Sequence, residues 1–194
     1  MVRPREFDFD EVLTKAMLVF WENGFRSTTY EQLTSAMDLK KQSVYGAFGD
    51  KRLLFLKALR LYRGQILSSL EETISQPGST IAILEEIYRS ASRSSDRHDC
   101  PEGCLIVNTA LEFGRTDKEI AREVSKLFEG FELNFCRLVK RGQKAGEITD
   151  RFDCSVIALG LVNSLSGLRV LEKTGVSDQQ IEEVLRFSIN QIKK

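Results

Sequence analysis

Prolines are scarce. Only three occur in 194 residues, at positions 4, 77 and 101, so long stretches are free of the residue that breaks helices. Net charge is also absent, with 28 Lys and Arg against 28 Asp and Glu; a balanced total gives the chain no bulk attraction for polyanions. A single histidine leaves little for metal clusters or histidine-based catalysis. HExxH, GxSxG and a strand-led glycine-rich phosphate loop do not occur, so neither an enzyme nor a cofactor is expected. The longest nearly apolar run, around residues 156–162, is broken by Asn163 and Ser164, well short of the roughly 18 residues that suggest a membrane span. The first six residues lack the apolar stretch of a signal peptide. These features predict a cytoplasmic protein with no membrane partner. In that compartment the four cysteines, none in a CxxC pair, are expected as thiols without a structural disulfide, Cys136 and Cys154 serving as packing residues.

What is present is helical periodicity. Val12, Leu13, Ala16, Met17, Phe20 and Trp21 lie on one face of a first helix. Asp8 caps it with Glu11 three residues on, Phe7 and Val12 forming a staple, and Asn23-Gly24 stops it. Thr28-Thr29-Tyr30-Glu31 reads as a capping box for a second, short helix, and a third runs from about Lys41 to Phe48. A fourth spans Asp50 to about Ser75, with Leu53 among its core candidates. A fifth covers about Thr80–Ser95. The sixth starts near Pro101 and carries Leu105, Ile106 and Leu111. The seventh opens at Thr116-Asp117, the eighth runs from about Cys154 to Thr174, and the ninth, with Val184, Leu185, Ile189 and Ile192, opens at Ser177-Asp178-Gln179-Gln180. The fold class is all-α, with no credible strand. Two short helices on a tight turn, the second with polar and basic residues outward, form the helix-turn-helix pattern. Charge is distributed to match: residues 26–63 hold eight Lys and Arg but only three Asp and Glu, a local footprint for a polyanion.

The runs Gly24-Phe25-Arg26-Ser27-Thr28-Thr29-Tyr30-Glu31-Gln32-Leu33 and Ala36-Met37-Asp38-Leu39-Lys40-Lys41-Gln42-Ser43-Val44-Tyr45-Gly46-Ala47-Phe48-Gly49-Asp50-Lys51-Arg52-Leu53-Leu54 resemble the DNA-binding region of the TetR family of bacterial transcriptional regulators. The Gly-aromatic exit from the first helix, the Thr-capped second helix and the Tyr-x-x-Phe-x-x-Lys-x-x-Leu run carry the likeness, over about the first third of the chain. The sequence departs from the family pattern at Asp38, where the turn usually has Gly, at Lys40, where Ser often starts the recognition helix, and at Gln42, which replaces a small residue. The resemblance implies a helix-turn-helix domain over residues 1–49 and a helical effector-binding and dimerisation domain over 50–194.

The residue types fit DNA binding on their own. Thr28 and Thr29 at a helix start can meet a phosphate, as can Lys40, Lys41, Tyr45 and Lys51. Gln42 and Ser43 project from the start of the recognition helix, Gln being able to bond adenine bidentately. Gly46 permits close approach, and Arg3 and Arg5 can form a minor-groove arm. Partners implied by the resemblance are double-stranded operator DNA, a small apolar effector, and a second copy of the chain docked through the eighth and ninth helices. In proteins of this kind the central helices surround a cavity; Tyr62, Leu67, Tyr88, Cys104, Asn108, Phe128, Phe131 and Asn163 are the candidate lining residues here. The expected function is a repressor released from its operator by that effector.

Cys100 and Cys104 allow another reading. A thiol at a helix start beside Arg93, Arg97 and His98 is activated, so a redox- or electrophile-sensing regulator is an alternative. A metal site from His98, Asp99, Cys100 and Cys104 lacks a well-spaced fourth ligand and is not expected. A helical protein-interaction module whose basic face binds an acidic protein is the alternative from another class. Glu112 and the pair Glu85 and Glu86 read as surface charge.

Overall fold

The computed structural model describes residues 8–92 and 101–194. Among these the helices are α1 (Phe9–Ser27), α2 (Tyr30–Met37), α3 (Lys41–Phe48), α4 (Lys51–Ile74), α5 (Thr80–Ser92), α6 (Leu105–Phe113), α7 (Lys118–Ala145), α8 (Cys154–Leu171), extended by a 3₁₀ turn at Glu172–Thr174, and α9 (Asp178–Asn190). Phe7, the proposed staple residue, lies outside the described residues. The Asp8 carboxylate accepts from the amides of Asp10 and Glu11 and starts α1, whose six expected apolar residues are all buried. Helical dihedrals break at Gly24, with φ 74° and ψ 172°, as the Asn23-Gly24 signal predicts.

The break leaves the amides of Phe25 and Arg26 without helical partners, and a side chain from α6 receives them. Glu112 Oε2 accepts from Phe25 N at 2.9 Å, and Oε1 from Arg26 N at 2.6 Å. A Cβ on Gly24 would lie 3.1 Å from that same carboxylate in a backbone conformation that L side chains rarely adopt. Glu112 is therefore a structural clamp rather than the surface charge its sequence context suggests. The box at α2 is one residue later than expected: Thr29 pairs with Gln32, each side chain meeting the other's backbone N–H. Asp38 holds the left-handed turn at φ 51°, which its short polar side chain tolerates.

Two apolar cores stack along the molecule. Phe20, Leu33, Val44, Phe48, Phe55 and Leu59 fill the first, with Leu105 and Ile106 of α6 and Leu127 of α7. Leu84, Tyr88, Phe135, Leu138, Leu161 and Ile181 belong to the second. Both long helices cross from one to the other. Ion pairs fasten these two along their length. Arg52 meets Asp117 in two bonds, at 2.7 and 2.9 Å, and Glu119 at 3.1 Å. Arg60 reaches Glu119 and Glu123, and the buried Glu123 also receives Arg63 and Lys126.

Several expectations are corrected. Helix α6 begins at Leu105, four residues after Pro101, because Gly103 adopts φ +79° under Arg169 and Lys173; Cys104 is thus its N-cap. Leu53, Leu111 and Val184 are exposed rather than core. Cys136 on α7 and Cys154 at the first position of α8 are joined in a disulfide. Two cysteines 18 residues apart give no pairing signal in sequence; the hairpin of α7 and α8 creates it.

Two outcomes follow from the clamp and the ion pairs. Glu112→Ala should lower unfolding free energy by about 1.5–3 kcal/mol, the usual worth of hydrogen bonds to a charged group, read from the urea midpoint at constant slope. The Arg52 bonds lead the effects that hold the Asp117 carboxyl at about 2, below the ordinary value near 3.9. Its contribution is thus present above about pH 4 and lost as pH falls toward 2. Asp117→Asn should be less stable than wild type at pH 7, and the gap in thermal midpoint should close at the acid end.

Candidate functional site

Helix α3 is eight residues long and buries only Val44 and Phe48. Its other side presents Lys40, Lys41, Gln42, Ser43, Tyr45 and Gly46 to solvent. Neither lysine forms an ion pair among the described residues. Lys41 Nζ lies 5.1 Å from the centre of the Tyr30 ring, which stacks on Tyr45 at 4.9 Å. Tyr30 in turn accepts the amide of Lys51 through its hydroxyl at 2.8 Å. Burial, aided by the Tyr45 hydroxyl, pushes Tyr30 up to about 12, so this phenol stays neutral at physiological pH. The arrangement is a rigid aromatic corner that aims a cation and two amphipathic ring edges outward from one short helix.

Other predicted contacts are placed differently. Thr28 is buried, and its hydroxyl donates to Gly24 O at 2.5 Å, so it is not free for a phosphate. Thr29 is exposed but caps α2. Lys51 donates to Thr28 O at 2.7 Å and sits over the Phe25 ring, which anchors the ammonium inside the corner. The basic surplus is smaller than its count: Arg26, Arg52, Arg60 and Arg63 are all paired with carboxylates. Lys40 and Lys41 carry what remains at the α3 start. Arg3 and Arg5 lie outside the described residues.

A second feature lies between α1, α4, α5, α6, α7 and α8: a cavity of about 190 Å³. Of the expected lining residues, Tyr62, Cys104, Phe128 and Phe131 form its wall. Leu67 and Asn108 do not. Tyr88 is fully buried behind it, donating to Leu161 O at 3.1 Å, and Asn163 faces outward on α8. Trp21, Leu127 and Arg169 line the cavity unforeseen, since helical periodicity assigns the first two only to a core and gives a charged residue no inward place. Arg169 donates to Ala91 O and Gly103 O and pairs with Glu172 at 2.7 Å. Cys104, the free cysteine among the described residues, is buried and receives the Tyr62 hydroxyl at 3.4 Å. This buried setting, bonded to Tyr62, differs from the exposed, cation-flanked helix start expected for a sensing Cys104. Cys100, with His98 and Asp99, lies outside the described residues.

A third feature is an apolar strip. Val156, Leu159 and Val170 of α8 and Val184 and Phe187 of α9 are exposed, while Leu165 and Leu185 of the same two helices are buried within the protomer. With its 3₁₀ extension, α8 is also long and apolar enough by length and composition to cross a membrane, contrary to the reading of its seven-residue run. In the fold those apolar residues divide between the second core and the outer strip.

Known proteins share this arrangement. The family sequence described as "Bacterial regulatory proteins, tetR family" matches residues 12–58, and "Tetracyclin repressor-like, C-terminal domain" matches residues 80–187. The HTH-type transcriptional regulator YezE of Bacillus subtilis is 28% identical over 98% of both chains. The HTH-type transcriptional repressor ComR of Escherichia coli is 24% identical over 94% of this chain and 87% of its own. Among solved structures, a cysteine mutant of the TetR family regulator CifR, complexed with 26-bp operator DNA, superposes with a TM-score of 0.85 at 29% identity, covering 97% of this chain and 98% of its own. With matches on both halves of the chain, the first of them spanning the exposed helix α3, this protein belongs to the TetR family of bacterial transcriptional regulators.

Proposed function

We propose that the chain is a cytoplasmic repressor that binds operator DNA as a homodimer and leaves it when a small apolar molecule enters the cavity. The observation that carries this reading is the exposed face of α3, where Lys40, Lys41, Gln42, Ser43, Tyr45 and Gly46 reach solvent while Val44 and Phe48 fix the helix from behind. Lys41 and Tyr45 hold phosphates, with Thr29 and Lys40 beside them; Gln42 and Ser43 read base edges in the major groove. Lys51 acts indirectly, by bracing the corner on which Tyr30 and Tyr45 stack. The division of labour falls at residues 49 and 50, with contacts to DNA before it and effector binding and dimerisation after it. That relatives are named repressors, and that CifR is described with operator DNA, supports the same reading.

The second copy docks on the strip of Val156, Leu159, Val170, Val184 and Phe187. Asn163 and the bare Gly160 and Gly167, with open space around each glycine, let the helices of two protomers approach closely. A twofold dimer places two recognition helices about 34–36 Å apart, one turn of DNA. An effector that prefers another spacing then releases the operator by its difference in affinity for the two states.

Competition binding should separate the roles on α3. Lys41→Ala should weaken all duplexes alike, whereas Gln42→Ala should alter preference at one base pair by about 1–3 kcal/mol. Gly46→Ala should stabilise the free protein by roughly 0.5–1 kcal/mol yet bind operator less well, its methyl standing in the approach. Unchanged operator affinity in all three variants overturns the recognition helix. For assembly, Leu159→Arg or Phe187→Glu should give folded monomers by light scattering at micromolar concentration, while wild type runs as a dimer. A monomeric wild type removes the interface.

A further inference from the structure

The wall of the cavity has used nearly all of its hydrogen-bonding capacity. Ser90, Thr73 and Ser166 donate their hydroxyl protons to carbonyls of their own helices, Ile87 O, Ser69 O and Val162 O. Tyr62 donates to Cys104, and Arg169 is engaged by Glu172 and two backbone carbonyls. Ser69 is exposed to solvent, and the buried exception is Trp21. It is 7% exposed, it forms part of the wall, and its indole Nε1–H is buried with no acceptor among the described residues. Buried donors are almost always paired, and one left unpaired carries the full cost of its lost water. Trp21 packs edge-on against Tyr62 with ring centres 5.0 Å apart, and Phe128 and Phe131 face the same space.

We propose that the cavity takes a small, uncharged aromatic molecule bearing one hydrogen-bond acceptor, a carbonyl above all, and that the Trp21 indole N–H reads this acceptor. The inference rests on the cavity being the effector site. Size limits the ligand: about 190 Å³ lies below the roughly 300–1,000 Å³ that holds drug-sized molecules. Charge limits it further. The one charged side chain on the wall, Arg169, already has a carboxylate, so an ionic ligand would lose its water without gaining a counter-charge. The aromatic side chains supply edge and face contacts to a flat ring, and the carbonyl supplies what the indole lacks. Trp21 stands on α1, three residues before the break at Gly24, so a ligand bonded to it touches the element that leads into α2 and α3.

Three probes test this by calorimetry: acetophenone, α-methylstyrene, which replaces the carbonyl oxygen by a CH₂ group, and benzoate. The protein holds a single tryptophan, so the intrinsic fluorescence of wild type reports directly on an occupant beside it. Acetophenone should bind saturably and shift that emission, benzoate should not bind, and Trp21→Phe should weaken acetophenone by about 2- to 12-fold, the worth of one hydrogen bond, while leaving α-methylstyrene unchanged. Circular dichroism and operator binding confirm that the variant is folded. If Trp21→Phe weakens both neutral probes equally, or neither, the indole does not read the acceptor, though the cavity reading stands. Preferential binding of benzoate, or no binding of acetophenone to wild type, overturns the ligand class. Filling the cavity with Val107→Phe should abolish acetophenone binding; undiminished binding there overturns the cavity as the effector site, and this inference with it.

Discussion

Helix α1 stops at Gly24, and a carboxylate from a helix nearly ninety residues later holds the stop in place. Glu112 takes the two amides that the break exposes, and Arg26 returns a guanidinium bond to the Glu112 carbonyl. Everything on the DNA side of the molecule hangs from that corner. The chain leaves it through Thr28, whose carbonyl anchors Lys51; Lys51 offers its amide to Tyr30, and Tyr30 stacks on Tyr45. Helix α6 is capped by Cys104 on the cavity wall and ends at this corner. A displacement of α6 must therefore carry the α1–α2 corner with it or break two charge-assisted bonds.

Electrostatics divides the molecule in a way that a residue count conceals. The basic stretch of residues 26–63 resembles a continuous DNA-facing patch, yet most of its arginines point away from α3. They bind carboxylates on α6 and α7 and hold the long helices together. Burial opposes the charge on Glu123, but Lys126, Arg60 and Arg63 outweigh it and keep the carboxyl below its usual range. The charge left for a polyanion is concentrated at one helix start, where a few contacts position a reader rather than a broad field attracting any duplex.

The sequence made the helices legible because their signals are local. Apolar residues recur at helical spacing, and Asp8, Asp50, Asp117 and Ser177 each cap the helix that follows. The TetR-like run between Gly24 and Leu54 located α2 and α3. What was not legible depends on partners distant in the chain. Cys136 and Cys154 face one another only once α7 and α8 fold back; Gly103 breaks the expected helix because Arg169 and Lys173 lie over it. Thr28 looks like a phosphate ligand until the chain turns its hydroxyl inward. Trp21 falls in the same apolar stripe as Phe20, and nothing in that periodicity separates a residue in a packed core from one beside a cavity.

Helix α3, the proposed recognition helix, gains little stability from its own sequence. Lys40 at its cap gives no side-chain hydrogen bond, and Gly46 sits in its middle with open space around it, although glycine there weakens a helix by about 0.5–1 kcal/mol relative to alanine. Val44 and Phe48 hold it to the core, and Tyr45 stacks on Tyr30 of α2. A side chain at position 46 would steady α3 but would also cover the middle of its exposed face. The stability forgone at Gly46 is the same whichever duplex is bound, so it changes no affinity ratio between two sequences and leaves discrimination to the side chains around it.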